Sequence, residues 1–169
     1  FGPDQLFLNR HDGTFENALA YDTGRFFRSV VASDLNGDGK PDLAAAGAGG
    51  LFVLLNRGDG TFEEAVAYDT GGKVGALLVS DLDGDGSPDL IAGSDDGVSV
   101  PARGVGVLVL LNRGNGTFEE AVRYSFRFRG SYSLLASDLN GDGKPDLAAE
   151  DYGGISVLLN RGEGTFENA

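Results

Sequence analysis

SDLNGDGKPDLAAAG, residues 33–47, crowds Asp34, Asp38 and Asp42, the amide of Asn36 and two glycines into nine residues, then turns apolar. Like charges that close repel. Something must offset the repulsion, and the need is not local to one loop. Nearly the same string returns as SDLDGDGSPDLIAG (80–93) and SDLNGDGKPDLAAE (137–150). A second string accompanies it: FLNRHDGTFENA (7–18), LLNRGDGTFEEA (54–65), LLNRGNGTFEEA (110–121) and LLNRGEGTFENA (158–169). Ser33 to Ser80 spans 47 residues and Ser80 to Ser137 spans 57, so one unit carries about ten extra residues, placed at SDDGVSVPARGVG (94–106). A fixed period of this length marks a repeat architecture.

Each unit reads as four short strands. In the first full unit these are SVVAS (29–33), DLAAAG (42–47), LFVLLNR (51–57) and TFEEAVAYD (61–69), with a tight GDG turn between the last two. Glycine or proline interrupts every apolar run before a helix could complete three turns. The expected fold is all-β: β-propeller-type blades of four antiparallel strands, about three to three and a half per chain. The chain then divides as one repeat domain over 1–169, with a partial blade at 1–28, blades at 29–73 and 74–130, the latter with an insertion between its second and third strands, and a partial blade at 131–169. Phe15, Phe62, Phe118 and Phe166 of the GTF turns, with the paired leucines before NR, are expected packing residues.

DLNGDGKPDL followed by VLLNRGDGTF resembles the FG-GAP and VCBS repeats of bacterial secreted proteins, which are related to the integrin α-subunit propeller. The likeness runs over nearly the whole chain, with AGAGG, AGSDDG and AEDYGG standing where the GAP element would be. It implies a four-stranded antiparallel meander per blade, calcium in the loop between the first two strands, and an extracellular or cell-surface setting.

The residues of that loop point to calcium on their own. Asp34, Asn36 and Asp38 offer oxygens at positions 1, 3 and 5, Lys40 a backbone carbonyl at position 7, and Asp42 a carboxylate at position 9. The second loop offers Asp81, Asp83, Asp85, the Ser87 carbonyl and Asp89; the third offers Asp138, Asn140, Asp142, the Lys144 carbonyl and Asp146. An all-oxygen set suits a hard cation and not zinc or copper, and calcium tolerates the irregular geometry that magnesium does not. An EF-hand would place a bidentate Glu at position 12, where this chain has Ala45, Ala92 and Ala149. Three Ca²⁺ sites are therefore expected, the second tightest because it has four carboxylates.

In a meander, the acidic loop and the G-x-G-T turn share one end of the blade. The other end collects the variable segments, and ligand contacts are usually built on such loops. RYSFRFRGSY (123–132) stands out there, with Arg123, Arg127 and Arg129 among Tyr124, Phe126, Phe128 and Tyr132. Arginine and aromatic residues favour a glycan or protein ligand, or burial between neighbouring blades. His11 is the single histidine and replaces a turn glycine, and no nucleophile–base pair is evident, so no enzymatic activity is expected.

The formal net charge is −13, which argues against nucleic acid or anionic membrane as partners. No apolar run approaches the roughly 20 residues that span a bilayer, and there is no cysteine to form a disulfide. Closed propellers have about four to eight blades. Fewer blades leave open edges, so self-association through them is expected, unless the chain is part of a longer one.

Overall fold

The computed structural model describes residues 4–6, 12, 14, 19–21, 26–94, 106–125, 133–151 and 154–168. These form three four-stranded antiparallel sheets and one two-stranded sheet, with no helix among them. The first full sheet holds β3 (Phe27–Ser33), β4 (Asp42–Gly47), β5 (Gly50–Leu54) and β6 (Val66–Tyr68) in chain order. The second holds β7 (Val74–Ser80), β8 (Asp89–Ser94), β9 (Gly106–Leu110) and β10 (Val122–Ser125). The third holds β11 (Leu134–Ser137), β12 (Asp146–Asp151), β13 (Gly154–Gly162) and β14 (Thr165–Asn168). Before them, β1 (Asp4–Leu6) pairs with β2 (Leu19–Tyr21), Leu6 opposite Leu19, as Val53 stands opposite Val66 and Val109 opposite Val122. That shared register makes β1 and β2 the third and fourth strands of a repeat.

The strand expectation holds in kind, with two differences. The segment 61–69 is not one continuous strand. Phe62 bridges to Asn56, Glu63 N–H donates to the Leu55 carbonyl (2.8 Å), and regular pairing resumes only at Val66–Tyr68. A tight turn whose Asp59 carboxylate takes the Thr61 amide and hydroxyl (2.9 and 2.6 Å) sets the first register, and β6 is one residue out of step with it. The segment 131–169 was expected as a partial blade but supplies four strands, because Thr165–Asn168 pairs directly with β13.

The core lies between sheets. Leu35, Leu51 and Val53 of the first pack with Leu77, Leu90, Leu110 and Phe118 of the second. Leu82, Ile91 and Val109 of the second pack with Leu147, Leu158 and Phe166 of the third. The central strands of the first two sheets are thus buried on both faces, which is why β4, β5, β8 and β9 read as unbroken apolar runs instead of alternating ones. First strands meet along the stack, Leu77 N–H donating to Ser29 Oγ at 3.0 Å. Tyr68 meets Phe118 edge to face at 5.5 Å, and Tyr124 meets Phe166 in the same way at 5.4 Å. Gly116 and Gly164 close each junction. A Cβ there would come within 2.7 Å of a Leu55 methyl and 2.5 Å of a Leu111 methyl, and both glycines also have positive φ (76° and 64°).

Leu51, Val107 and Ile155 hold equivalent places on the three sheets, yet Leu51 is 0% and Ile155 75% exposed. Leu51→Ala should therefore cost about 2–5 kcal/mol in urea unfolding. Ile155→Ala should cost less than about 0.5 kcal/mol for the same chain at low micromolar concentration. Equal costs would contradict the stacking order described above.

Candidate metal centres

Each acidic loop winds around its first aspartate. Asp34 Oδ1 accepts the amides of Gly37 and Asp38 (2.8 and 3.1 Å), and Oδ2 accepts that of Gly39 (2.8 Å). Asp81 takes Gly84 and Gly86 (2.8 and 3.0 Å), and Asp138 takes Gly141, Asp142 and Gly143 (2.7, 3.2 and 2.9 Å). Such a turn requires left-handed backbone at Gly37 and Gly39 (φ 76° and 81°). The Gly143 and Gly141 amides hold the Asp138 carboxyl below its usual range. Position 3 side chains cap the next turn: Asn36 accepts Asp38 N–H (3.0 Å), Asp83 accepts Asp85 N–H (3.0 Å) and Asn140 accepts Asp142 N–H (2.8 Å). Position 5 accepts the amide of position 7, Lys40 to Asp38 (3.0 Å), Ser87 to Asp85 (2.6 Å) and Lys144 to Asp142 (3.0 Å).

The closing aspartates are different in kind. Asp42, Asp89 and Asp146 are fully buried. One oxygen of each accepts the amide of the loop's second residue, Leu35, Leu82 or Leu139 (2.9, 2.7 and 2.9 Å). The other accepts an amide from the neighbouring turn, Asn56, Asn112 or Asn160 (2.7, 2.8 and 2.8 Å). A buried carboxylate is costly unless it is paired or hydrogen-bonded, and these bonds are what permit it.

The three loops differ in charge compensation. Lys40 Nζ pairs with Asp38 at 3.0 Å, which lowers the Asp38 carboxyl, and Lys144 pairs with Asp142 at 3.7 Å. The second loop has Ser87 at that place and a fourth acid, Asp83, where the others have asparagine. Carboxylate oxygens of Asp81, Asp83 and Asp89 lie within 4.8 Å of one another. Burial pushes the Asp89 carboxyl up to about 6; the Asn112 and Leu82 amides oppose the rise, while Asp83 and Asp81 add to it. An all-oxygen group with this surplus of negative charge fits a hard divalent cation.

The asparagine of LNR carries a role its sequence context concealed. Asn112 Nδ2 donates to the Pro88 carbonyl of its own sheet (2.9 Å) and to the Leu35 carbonyl of the preceding one (2.9 Å). Asn160 does the same with Pro145 (3.0 Å) and Leu82 (2.8 Å). Asn56 Nδ2 donates to Pro41 (2.8 Å), and all three accept from the glycine two residues on. One side chain thus ties turn, acidic loop and neighbouring sheet together. Its signal in the sequence is that Asn recurs in all four copies of the string.

Of the proposed ligand segment, Arg123 donates to the Thr70 carbonyl at 2.7 Å, across to the preceding sheet. Tyr124 packs on Phe166 of the following sheet. These two are placed between blades. Phe126, Arg127, Phe128, Arg129 and Tyr132 lie outside the described residues.

The FG-GAP-like repeat matches residues 1–45, 34–92, 81–149 and 138–169, and the chain belongs to that family. Among solved structures it is similar to a lectin from Agrocybe aegerita described as recognising non-reducing terminal N-acetylglucosamine, at 26% identity and a TM-score of 0.65. That likeness covers 96% of this chain and 44% of the lectin. It is also similar to a chain of the Photorhabdus luminescens Tc holotoxin pore, at 22% identity and a TM-score of 0.52, covering 92% of this chain and 8% of that one. The toxin likeness concerns the fold alone. A comparison with curated protein sequences finds no significant match.

Asn112→Ala removes two donors and orphans buried groups on two sheets, each worth about 1–3 kcal/mol. Urea unfolding should show a loss above that range for a single group, and Asn112→Asp should cost at least as much, because it places a second carboxylate against Asp89. A neutral Asn112→Ala would contradict the role given to this side chain.

Proposed function

We propose that the chain is a calcium-stabilised, non-enzymatic binding module of extracellular or cell-surface setting, with a glycan or protein ligand and a tendency to self-associate through open blade edges. The convergence of Asp81, Asp83 and Asp89 carries the calcium reading. Calcium would be held by Asp81, Asp83, Asp85, Asp89 and the Ser87 carbonyl, and in the other loops by Asp34, Asn36, Asp38, Asp42 and the Lys40 carbonyl, and by Asp138, Asn140, Asp142, Asp146 and the Lys144 carbonyl. The ion would supply the positive charge the loops lack. The second loop, with one more carboxylate and no lysine, binds tightest.

Calcium at a hundredfold its Kd stabilises by about 2.7 kcal/mol per site. Each kcal/mol moves Tm by about 2–4 °C at this chain length. Excess EGTA should lower Tm by about 5–10 °C for each site emptied; an unchanged Tm would contradict the proposal.

The pH dependence has a definite sign. The folded Asp89 carboxyl, near 6, lies above its ordinary 3.8, so in metal-free protein its contribution favours folding at low pH and fades as pH rises through 6. Calcium must displace that proton. Scanning calorimetry should therefore show metal-free protein gaining stability from pH 7 to pH 5, while the calcium-induced gain in Tm shrinks. An equal calcium effect at both values would rule out Asp89 as part of the site.

A glycan is favoured over a protein ligand by the similarity to a lectin over 96% of the chain. The segment 123–132 supplies arginines and aromatic rings on which a sugar could stack. Isothermal titration with N-acetylglucosamine oligosaccharides should detect binding that Phe126→Ala, Arg127→Ala and Phe128→Ala together abolish. Retained binding in that triple variant would place the ligand elsewhere.

A further inference from the structure

Position 7 of each acidic loop offers a cation only its backbone carbonyl, so its side chain has another use. In the first and third loops that side chain is a lysine. Lys40 Nζ lies 3.0 Å from Asp38 Oδ2, and Lys144 Nζ lies 3.7 Å from Asp142 Oδ2. The other oxygen of each aspartate accepts the backbone amide of the same lysine, at 3.0 Å in both loops. One residue thus engages both oxygens of the position 5 carboxylate. The second loop keeps the backbone bond, Ser87 N–H to Asp85 Oδ1 at 2.6 Å, but serine brings no cation to the second oxygen.

The lysine stem has a path of its own. It crosses the glycine of the following NRG turn. A Cβ on Gly58 would come within 2.7 Å of Lys40 Cδ and Cε, and one on Gly162 within 3.8 Å of Lys144 Cε. At the equivalent Gly114 the neighbour is Ser87 Oγ, at 3.3 Å. Charge follows the same division. The first and third loops each carry three aspartates and one lysine, whereas the second carries four aspartates and no lysine. Among the described residues, three carboxylates converge on one point only in the second loop.

Resting on the calcium reading proposed above, we infer that Lys40 and Lys144 are resident counter-cations of the first and third loops. Each ammonium sits on the position 5 carboxylate while its loop is metal-free, and leaves it when the loop takes calcium. Two cations on one carboxylate oxygen repel, so the ammonium and the ion alternate there. The second loop has no ammonium to displace. The side chain at position 7 therefore ranks the loops in their affinity for calcium, and filling the first or third loop frees an amine to solvent.

The chain has three lysines, Lys40, Lys73 and Lys144, so each amine can be followed separately. The full chain is acetylated with a limiting N-hydroxysuccinimide ester, in EGTA and in excess calcium chloride, and the rate at each lysine is read by peptide mass spectrometry. Lys40 and Lys144 should react about threefold faster in calcium, the scale set by the loss of an exposed ion pair, and Lys73 at an unchanged rate. Calorimetric titration with calcium gives the second readout. Lys40→Met keeps the stem over Gly58 and removes the charge, and should raise first-loop affinity about three- to fivefold. Lys40→Arg keeps the charge and should stay near the unsubstituted value. Ser87→Lys should weaken the tightest site by about the same factor. Calcium binding that leaves the Lys40 and Lys144 rates unchanged, or that is equal in Lys40→Met and the unsubstituted chain, would overturn the counter-cation role and leave the calcium reading standing. No calcium binding by either the unsubstituted chain or Lys40→Met would overturn both.

Discussion

A buried carboxylate closes each acidic loop, and the repeat is organised around it. Asp42, Asp89 and Asp146 have no exposure to water, yet each side chain is acidic. Removing such a group from water is costly, and the offset comes from two backbone amides, one from the loop itself and one from the turn after the third strand. The bonds fix the loop against the turn, so the two lie together at one end of every sheet. In the second loop the Asp89 carboxyl is nonetheless raised, chiefly by burial, with the nearby Asp83 and Asp81 carboxylates adding to the rise. A proton or a cation can offset the charge gathered there, and the proposed dependence of stability on calcium and on pH rests on that choice.

The same turn joins one sheet to the next. Its backbone amide serves the aspartate, while its side-chain amide reaches the preceding loop through Asn112 and Asn160. Neighbouring loops are therefore coupled: a change in one alters the carbonyl offered to the next asparagine. Above the turn, the leucine–glycine contact and the tyrosine–phenylalanine edge complete the junction. These parts need little length, which explains how so short a repeat builds a core between sheets.

Much of this was legible in the sequence, because repetition exposes what a single copy hides. The phase of the acidic loops against the LNR strings gave the four-stranded meander, and the Asp-x-Asx-x-Asp spacing gave the oxygen-rich loop. The break at Glu63–Ala65 was not legible, since TFEEAVAYD carries no glycine or proline to mark it. The role of Asn112 was not legible either, because its partner Leu35 lies 77 positions away and no local pattern announces so distant a bond. Arg123 and Tyr124 drew attention as arginine and aromatic residues in an acidic chain, and those traits serve a junction between sheets as well as a ligand site.

The most direct measurement is a crystal structure grown in calcium, with anomalous scattering recorded at a long wavelength. A calcium peak enclosed by Asp81, Asp83 and Asp89, with the Asp89 carboxylate still accepting the Leu82 and Asn112 amides, is the result this account predicts. A second loop holding only water in excess calcium would contradict it.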